Sequence, residues 1–159
     1  MYQIPMISLQ NQNLQNGFLS FKATDSGESV VALRTVSGNY TASTFIKSVS
    51  NETVGLSAYS WRGWATGINF DGQKVSVFRR ENNKQEIAAS ADVSASDIYL
   101  QMTAKDGEFY QFAYSLDGKN WINLGKPIAA GYIEGARVAL THSGTGKSAK
   151  FDWLKIVQN

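Results

Sequence analysis

The sequence contains no cysteine, which removes a disulfide framework and a thiolate-held metal from consideration and leaves the compartment open on that count. There are two prolines, Pro5 and Pro127. Both fall outside the stretches of alternating hydrophobicity, as central strands require. His142 is the single histidine, so a Ser-His-Asp triad would depend on one residue near a strand end. Basic runs are short: none exceeds the pair Arg79-Arg80, and the net charge is +2. The concentrated positive footprint of a nucleic-acid binder is therefore missing. No segment approaches the roughly 18 apolar residues of a membrane-spanning helix. The opening MYQIPMISLQ has neither the charged nor the long apolar part of a signal peptide, although a parent protein could carry its signal upstream. Helical periodicity is scarce as well. No period of 3.6 persists for three turns, and Ala88 to Ser96 is the one helical candidate.

What the sequence does have is alternation. In 97–124, DIYLQMTAKDGEFYQFAYSLDGKNWINL, apolar residues recur at Ile98, Leu100 and Met102, then at Tyr110, Phe112 and Tyr114. Asp106-Gly107 and Asp117-Gly118 interrupt the pattern, the signature of consecutive antiparallel hairpins. One face buries Leu100, Met102, Tyr110, Phe112 and Tyr114, while Tyr99, Gln101, Thr103, Gln111 and Ala113 face the other way. Further strands are read at Phe18–Phe21, Val30–Thr35, Tyr40–Lys47, Val54–Ser60, Ala65–Phe70, Lys74–Arg80, Gln85–Ala89, Arg137–His142 and Ala149–Val157. Turn signals recur about every 8 to 12 residues, the spacing of a sandwich or barrel. With 159 residues, 43% of them hydrophobic, the chain can bury a core unaided. The expectation is one all-β antiparallel two-sheet sandwich over 17–159, with 1–16 an arm on its edge.

Two sets of side chains suit a ligand. Trp61, Arg62 and Trp64 stand in Ser60-Trp61-Arg62-Gly63-Trp64 between two strands. Indoles stack on the apolar faces of sugars while arginine donates to hydroxyls, but the same rings could cap the core. Strand parity places Tyr59, Asn69, Gln101, Gln111, Arg137 and Thr141 on solvent-side faces, without saying which sheet each strand joins. Trp121 and Trp153 lie within alternating strands and are expected in the core. Ser143-Gly144-Thr145-Gly146-Lys147-Ser148 lacks the first glycine and the following helix of a phosphate loop, and reads as a hairpin turn.

The succession GFLSFKA, VVALRTVSGNYTAST, VGLSAYS, GQKVSVFRRENNKQEIA, FYQFAYSLDGKNWINLG and GARVALTHSGTGKSAKFDWLKI resembles a known family. It is similar to the concanavalin A-like modules at the C-terminus of family 43 β-xylosidases and arabinofuranosidases, and to related laminin-G-like modules. Its most specific parts are Tyr114 to Trp121 and Phe151-Asp152-Trp153. The resemblance implies a jelly roll attached to a glycoside hydrolase and exported with it to the periplasm or outside the cell. It implies an accessory module that either binds plant-type polysaccharide or oligosaccharide or leans against its own catalytic domain. It also implies that structural calcium could be held, with Asp25, Glu28 and Asp152 as candidate ligands. The Glu-x-Asp-x-x-Glu strand of related glucanases is missing, and Asp71, Asp106 and Asp117 are turn residues. A non-catalytic role is the expectation; a hydrolase using a carboxylate pair assembled across strands, or a plain interaction domain, stays open beside it.

Overall fold

The structure, a computed structural model, describes residues 12–15, 18–22, 27–35, 37–60, 63–144 and 148–159, and of 12–22, 148 and 149 the backbone alone. Numbered in chain order, fourteen described strands form two antiparallel sheets. One sheet runs β1 (Gln12–Gln15), β2 (Phe18–Lys22), β14 (Ser148–Gln158), β4 (Tyr40–Lys47), β9 (Ile98–Lys105), β10 (Phe109–Ser115) and β11 (Ile122–Asn123), with β12 (Ile128–Ala129) also on β10. The other runs β3 (Glu28–Leu33), β13 (Arg137–Ser143), β5 (Thr53–Ser60), β6 (Trp64–Phe70), β7 (Lys74–Glu81) and β8 (Lys84–Asp92).

Alternation builds the core between them. From the eight-stranded sheet, Ala42, Ile46, Leu100, Met102 and Phe112 point inward; Val54, Leu56, Ile68, Phe70 and Leu140 answer from the six-stranded sheet. Full burial of each large apolar side chain is worth about 1.5–3 kcal/mol. The hairpins use the residues their turns demand. Asp106 and Gly107 have φ of 56° and 65°, and Asn82 and Asn83 have 47° and 64°, the left-handed pairs that match strand twist in two-residue loops.

Two expectations, a helix over Ala88 to Ser96 and a core place for Trp153, fail here through an added residue. Ala88 to Ser96 is not helical: β8 extends to Asp92 along β7, with a register shift between Val77 and Phe78. That extra residue breaks the alternation by which the strand would have been recognised. Trp153 is not in the core but 38% exposed, and Trp121 is half-buried. Between Phe151, which pairs with Ile46, and Trp153, which pairs with Phe45, β14 gains one residue at Asp152. One extra residue reverses side-chain parity, so Phe151 faces inward and Trp153 outward. The buried Thr44 hydroxyl donates to the Trp153 carbonyl at 2.7 Å beside this bulge. Trp153 then joins an aromatic strip on the outer face: Phe45 stacks on Tyr99 at 4.1 Å, and Trp121 and Trp153 approach Tyr99 at 6.5 and 6.2 Å.

The turn beside this strip is held by Asp117. Its carboxylate accepts from the Lys119 and Asn120 amides, both at 2.8 Å, from the Asn120 side chain and from the Ser115 hydroxyl. The Asn120 and Lys119 amides, foremost among these donors, hold its carboxyl well below the usual carboxylate range. On the six-stranded sheet, buried His142 Nε2 lies 3.0 Å from Glu52 Oε2, an ion pair or hydrogen bond shut away from water.

Replacing one member of that pair leaves the other buried without its partner. His142→Leu is expected to cost about 3–5 kcal/mol in urea denaturation, and Glu52→Leu combined with it markedly less; an equal or larger loss in the double variant would contradict the assignment. Because the Asp117 carboxyl is depressed in the folded state, its contribution is complete above about pH 4 and fades as the pH falls further. Asp117→Asn should therefore be less stable than the parent near neutrality, the gap closing in acid; a gap independent of pH would show the carboxylate's charge to be irrelevant.

Candidate functional site

The face of the six-stranded sheet turned away from the core carries Glu28, Val30 and Ala32 on β3, Arg137, Ala139 and Thr141 on β13, and Thr53, Gly55, Ser57 and Tyr59 on β5. β6 adds Ala65, Gly67 and Asn69, and β7 adds Ser76, Phe78 and Arg80. Arg80 grips Glu28 with two parallel hydrogen bonds, Nη1 to Oε1 at 2.9 Å and Nη2 to Oε2 at 3.0 Å. β3 and β7 are four interstrand steps apart. In a flat sheet those steps alone separate the backbones by about 19 Å, beyond the joint reach of the two side chains. The sheet must curl with this face concave.

Two glycines shape the floor. A Cβ on Gly55 would collide with Asn69 Oδ1 and come within 2.6 Å of Thr141 Oγ1; one on Gly67 would come within 2.8 Å of the Phe78 ring. Bare backbone at these positions lets the Asn69 and Thr141 side chains meet across β5. At the other end Tyr59 is half-buried, facing both Arg80 and Glu28. Burial pushes its hydroxyl's pKa up, the Glu28 charge adds to this, and Arg80 opposes it. The Arg80 guanidinium also lies 5.2 Å over the Phe78 ring and accepts a further anchor in Gln85, to which its Nη2 donates at 2.8 Å.

The residues singled out in the sequence divide among three places. Tyr59, Asn69 and Arg137 come together on the concave face. Gln101 and Gln111 lie on the outer face of the other sheet, where Gln111 Nε2 donates to the Phe112 and Gly125 carbonyls at 3.0 and 3.3 Å. Trp64 has the opposite parity to Tyr59 and packs against the end of the core; its ring lies 5.4 Å from Tyr132 and its Nε1 donates to Asn82 at 3.1 Å. Trp61 and Arg62 lie outside the described residues, as does Asp25. Of the other two carboxylates considered for calcium, Glu28 is engaged by Arg80 and Asp152 sits on the bulge of the opposite sheet. Among the described residues no three His, Cys, Asp or Glu side chains gather. Sequence reasoning missed Arg80 and took Glu28 only as a calcium ligand, because their pairing depends on curvature. The interior strand glycines Gly55 and Gly67 were a readable sign of close side-chain approach.

This architecture, two packed antiparallel sheets of which one is concave on its outer side, is that of a concanavalin A-like sandwich. The profile of the β-xylosidase C-terminal concanavalin A-like domain matches residues 13–157, and the chain belongs to that family. Among solved structures it is similar to the family 43 protein BlXynB of Bacillus licheniformis, with TM-score 0.80 and 19% identity over 96% of this chain and 35% of that one. It is also similar to the xylan β-1,4-xylosidase of Bacillus halodurans C-125, with TM-score 0.77 and 15% identity over 95% of this chain and 35% of the other. The carbohydrate-binding module CBM66 of Bacillus subtilis follows the fold over 93% of this chain and 91% of its own, with TM-score 0.70 and 13% identity. The chain thus spans about a third of the two family 43 proteins. No curated protein matches it in sequence.

Removing the Glu28 charge should lower the pH at which Tyr59 ionises. In Glu28→Gln, ultraviolet pH titration is expected to show one tyrosine deprotonating earlier than in the parent; an unchanged titration curve would separate Tyr59 from the Glu28–Arg80 pair.

Proposed function

We propose that this chain is a non-catalytic carbohydrate-binding module of a glycoside hydrolase, holding a plant-type polysaccharide chain along the concave face. The observation that carries this reading is the placing on one face of the half-buried Tyr59, Asn69 and Arg137, with the buried Thr141 beside Asn69 over Gly55. Along β13, Arg137 and Thr141 are four residues and about 13 Å apart, room for an oligosaccharide rather than a single sugar. Amide, hydroxyl and guanidinium groups match sugar hydroxyls, and the Tyr59 ring offers an apolar surface to the opposite side of a pyranose. From the sequence alone, the indole of Trp61 and the guanidinium of Arg62 are proposed as further sugar contacts. Membership of the β-xylosidase C-terminal family and the likeness to a carbohydrate-binding module support the reading. With a shallow surface and few contacts, the affinity is modest.

The outer aromatic strip favours a second role in the same molecule. Trp153, Phe45 and Tyr99, with Trp121, form an apolar surface on the opposite sheet suited to leaning on a catalytic domain. The two roles use different faces.

Titration with xylan, arabinan, β-glucan and fructan oligosaccharides, followed by tryptophan fluorescence or calorimetry, tests the binding reading. One class is expected to give saturable binding that Tyr59→Ala, Asn69→Ala or Trp61→Ala weakens about tenfold or more. Silence with every glycan would overturn it.

A further inference from the structure

On the reading that the concave face binds a glycan, we infer that its ligand carries a carboxylate, a uronic acid on the sugar chain, and that Arg137 is the residue that selects it. Arg137 opens β13 directly opposite Tyr59 and is half-buried. Elsewhere in the six-stranded sheet the arginines are matched: Arg79 pairs with Glu81 and Arg80 with Glu28. Arg137 forms no hydrogen bond and no ion pair among the described residues. Since Arg80 neutralises Glu28, two arginines at this edge have no ion-pair partner among the described residues: the half-buried Arg137 and the exposed Arg34, which follows β3 beside it. Arg137 is the one partly withdrawn from water.

A guanidinium partly withdrawn from water, with its donors unused, is complementary to a planar anion, which it can bind through two parallel hydrogen bonds. Sugar hydroxyls satisfy such donors singly and leave the charge unopposed. A second observation points to the same spot. The Ser57 hydroxyl, 0% exposed, has no hydrogen-bond partner and stands on this face opposite Ala139, one inward-outward repeat along β5 from Tyr59. In an antiparallel pair that is the diagonal neighbour of Arg137, about 7–8 Å away at the backbone. A buried hydroxyl left unpaired is costly, and, closed to solvent as it is, it gains a partner only if its neighbours shift when ligand binds. The acid then sits at the Arg137 end while the neutral part of the chain runs toward Asn69 and Thr141.

The test compares two probes on the whole chain by calorimetry: a xylo-oligosaccharide bearing one glucuronic acid, and the same oligosaccharide without it. The acidic probe is expected to bind about ten- to a hundredfold tighter, with the preference shrinking as salt is added. Arg137→Met should bring the ratio of the two affinities close to one. Arg137→Lys, which keeps the charge but not the paired donors, should restore only part of the ratio and guards against a folding defect in the methionine variant. Equal binding of both probes by the parent would overturn the assignment while leaving glycan binding intact. So would a ratio that survives in Arg137→Met. If neither probe nor any neutral glycan binds, the underlying function falls, and this inference with it.

Discussion

Every strand in this molecule has two faces, and burying one commits the other. The inward face of each sheet must supply the apolar side chains that close the sandwich, from Ile46, Leu100 and Phe112 on one side to Leu56, Ile68 and Leu140 on the other. What remains on the outward faces is determined by that demand: a polar, glycine-floored concavity on one sheet and an aromatic strip on its counterpart. The chemistry of the protein is the part of the alternation that packing does not use.

Curvature turns one of those leftover faces into a site. A flat sheet would spread Tyr59, Arg137, Asn69 and Thr141 over an open plain, each surrounded by water. The Arg80–Glu28 pair spans four interstrand steps and fixes how far the sheet bends. It also stations two opposite charges beside Tyr59 without leaving net charge there. Arg137, which has no ion-pair partner among the described residues, therefore acts on its surroundings uncancelled. Half-buried charges interact more strongly than fully solvated ones, and this makes the arrangement of neutral and charged groups on the face consequential.

Much of this was legible in the sequence. Asp106-Gly107 and the alternation on either side of it placed β9 and β10, and the parity of Leu56 and Ala58 put Tyr59 outward. Parity assigns a residue to the inside or the outside of its own sheet and nothing more. Hence Gln101 and Gln111 were grouped with Tyr59, Asn69 and Arg137, although the two sets lie on opposite outer surfaces of the sandwich. Local pattern also carries no trace of the Arg80–Glu28 contact, which joins residues 52 positions apart through the bend of a sheet. And alternation misleads wherever one residue is added, as at Ala88 opposite Val77 and Phe78 and at Asp152.

The bulge at Asp152 has a consequence beyond this fold. Whether the indole of Trp153 belongs to the interior or to the surface is decided by the count of residues between it and Phe151, not by any property of the indole. A lineage that gained or lost one residue at that place would redraw the outer surface without replacing a single aromatic side chain. Two relatives with the same Phe-Asp-Trp composition could thus present different exteriors, and their differences would be invisible to any comparison that scores substitutions alone. In this scaffold, changes in length are as chemically potent as changes in identity.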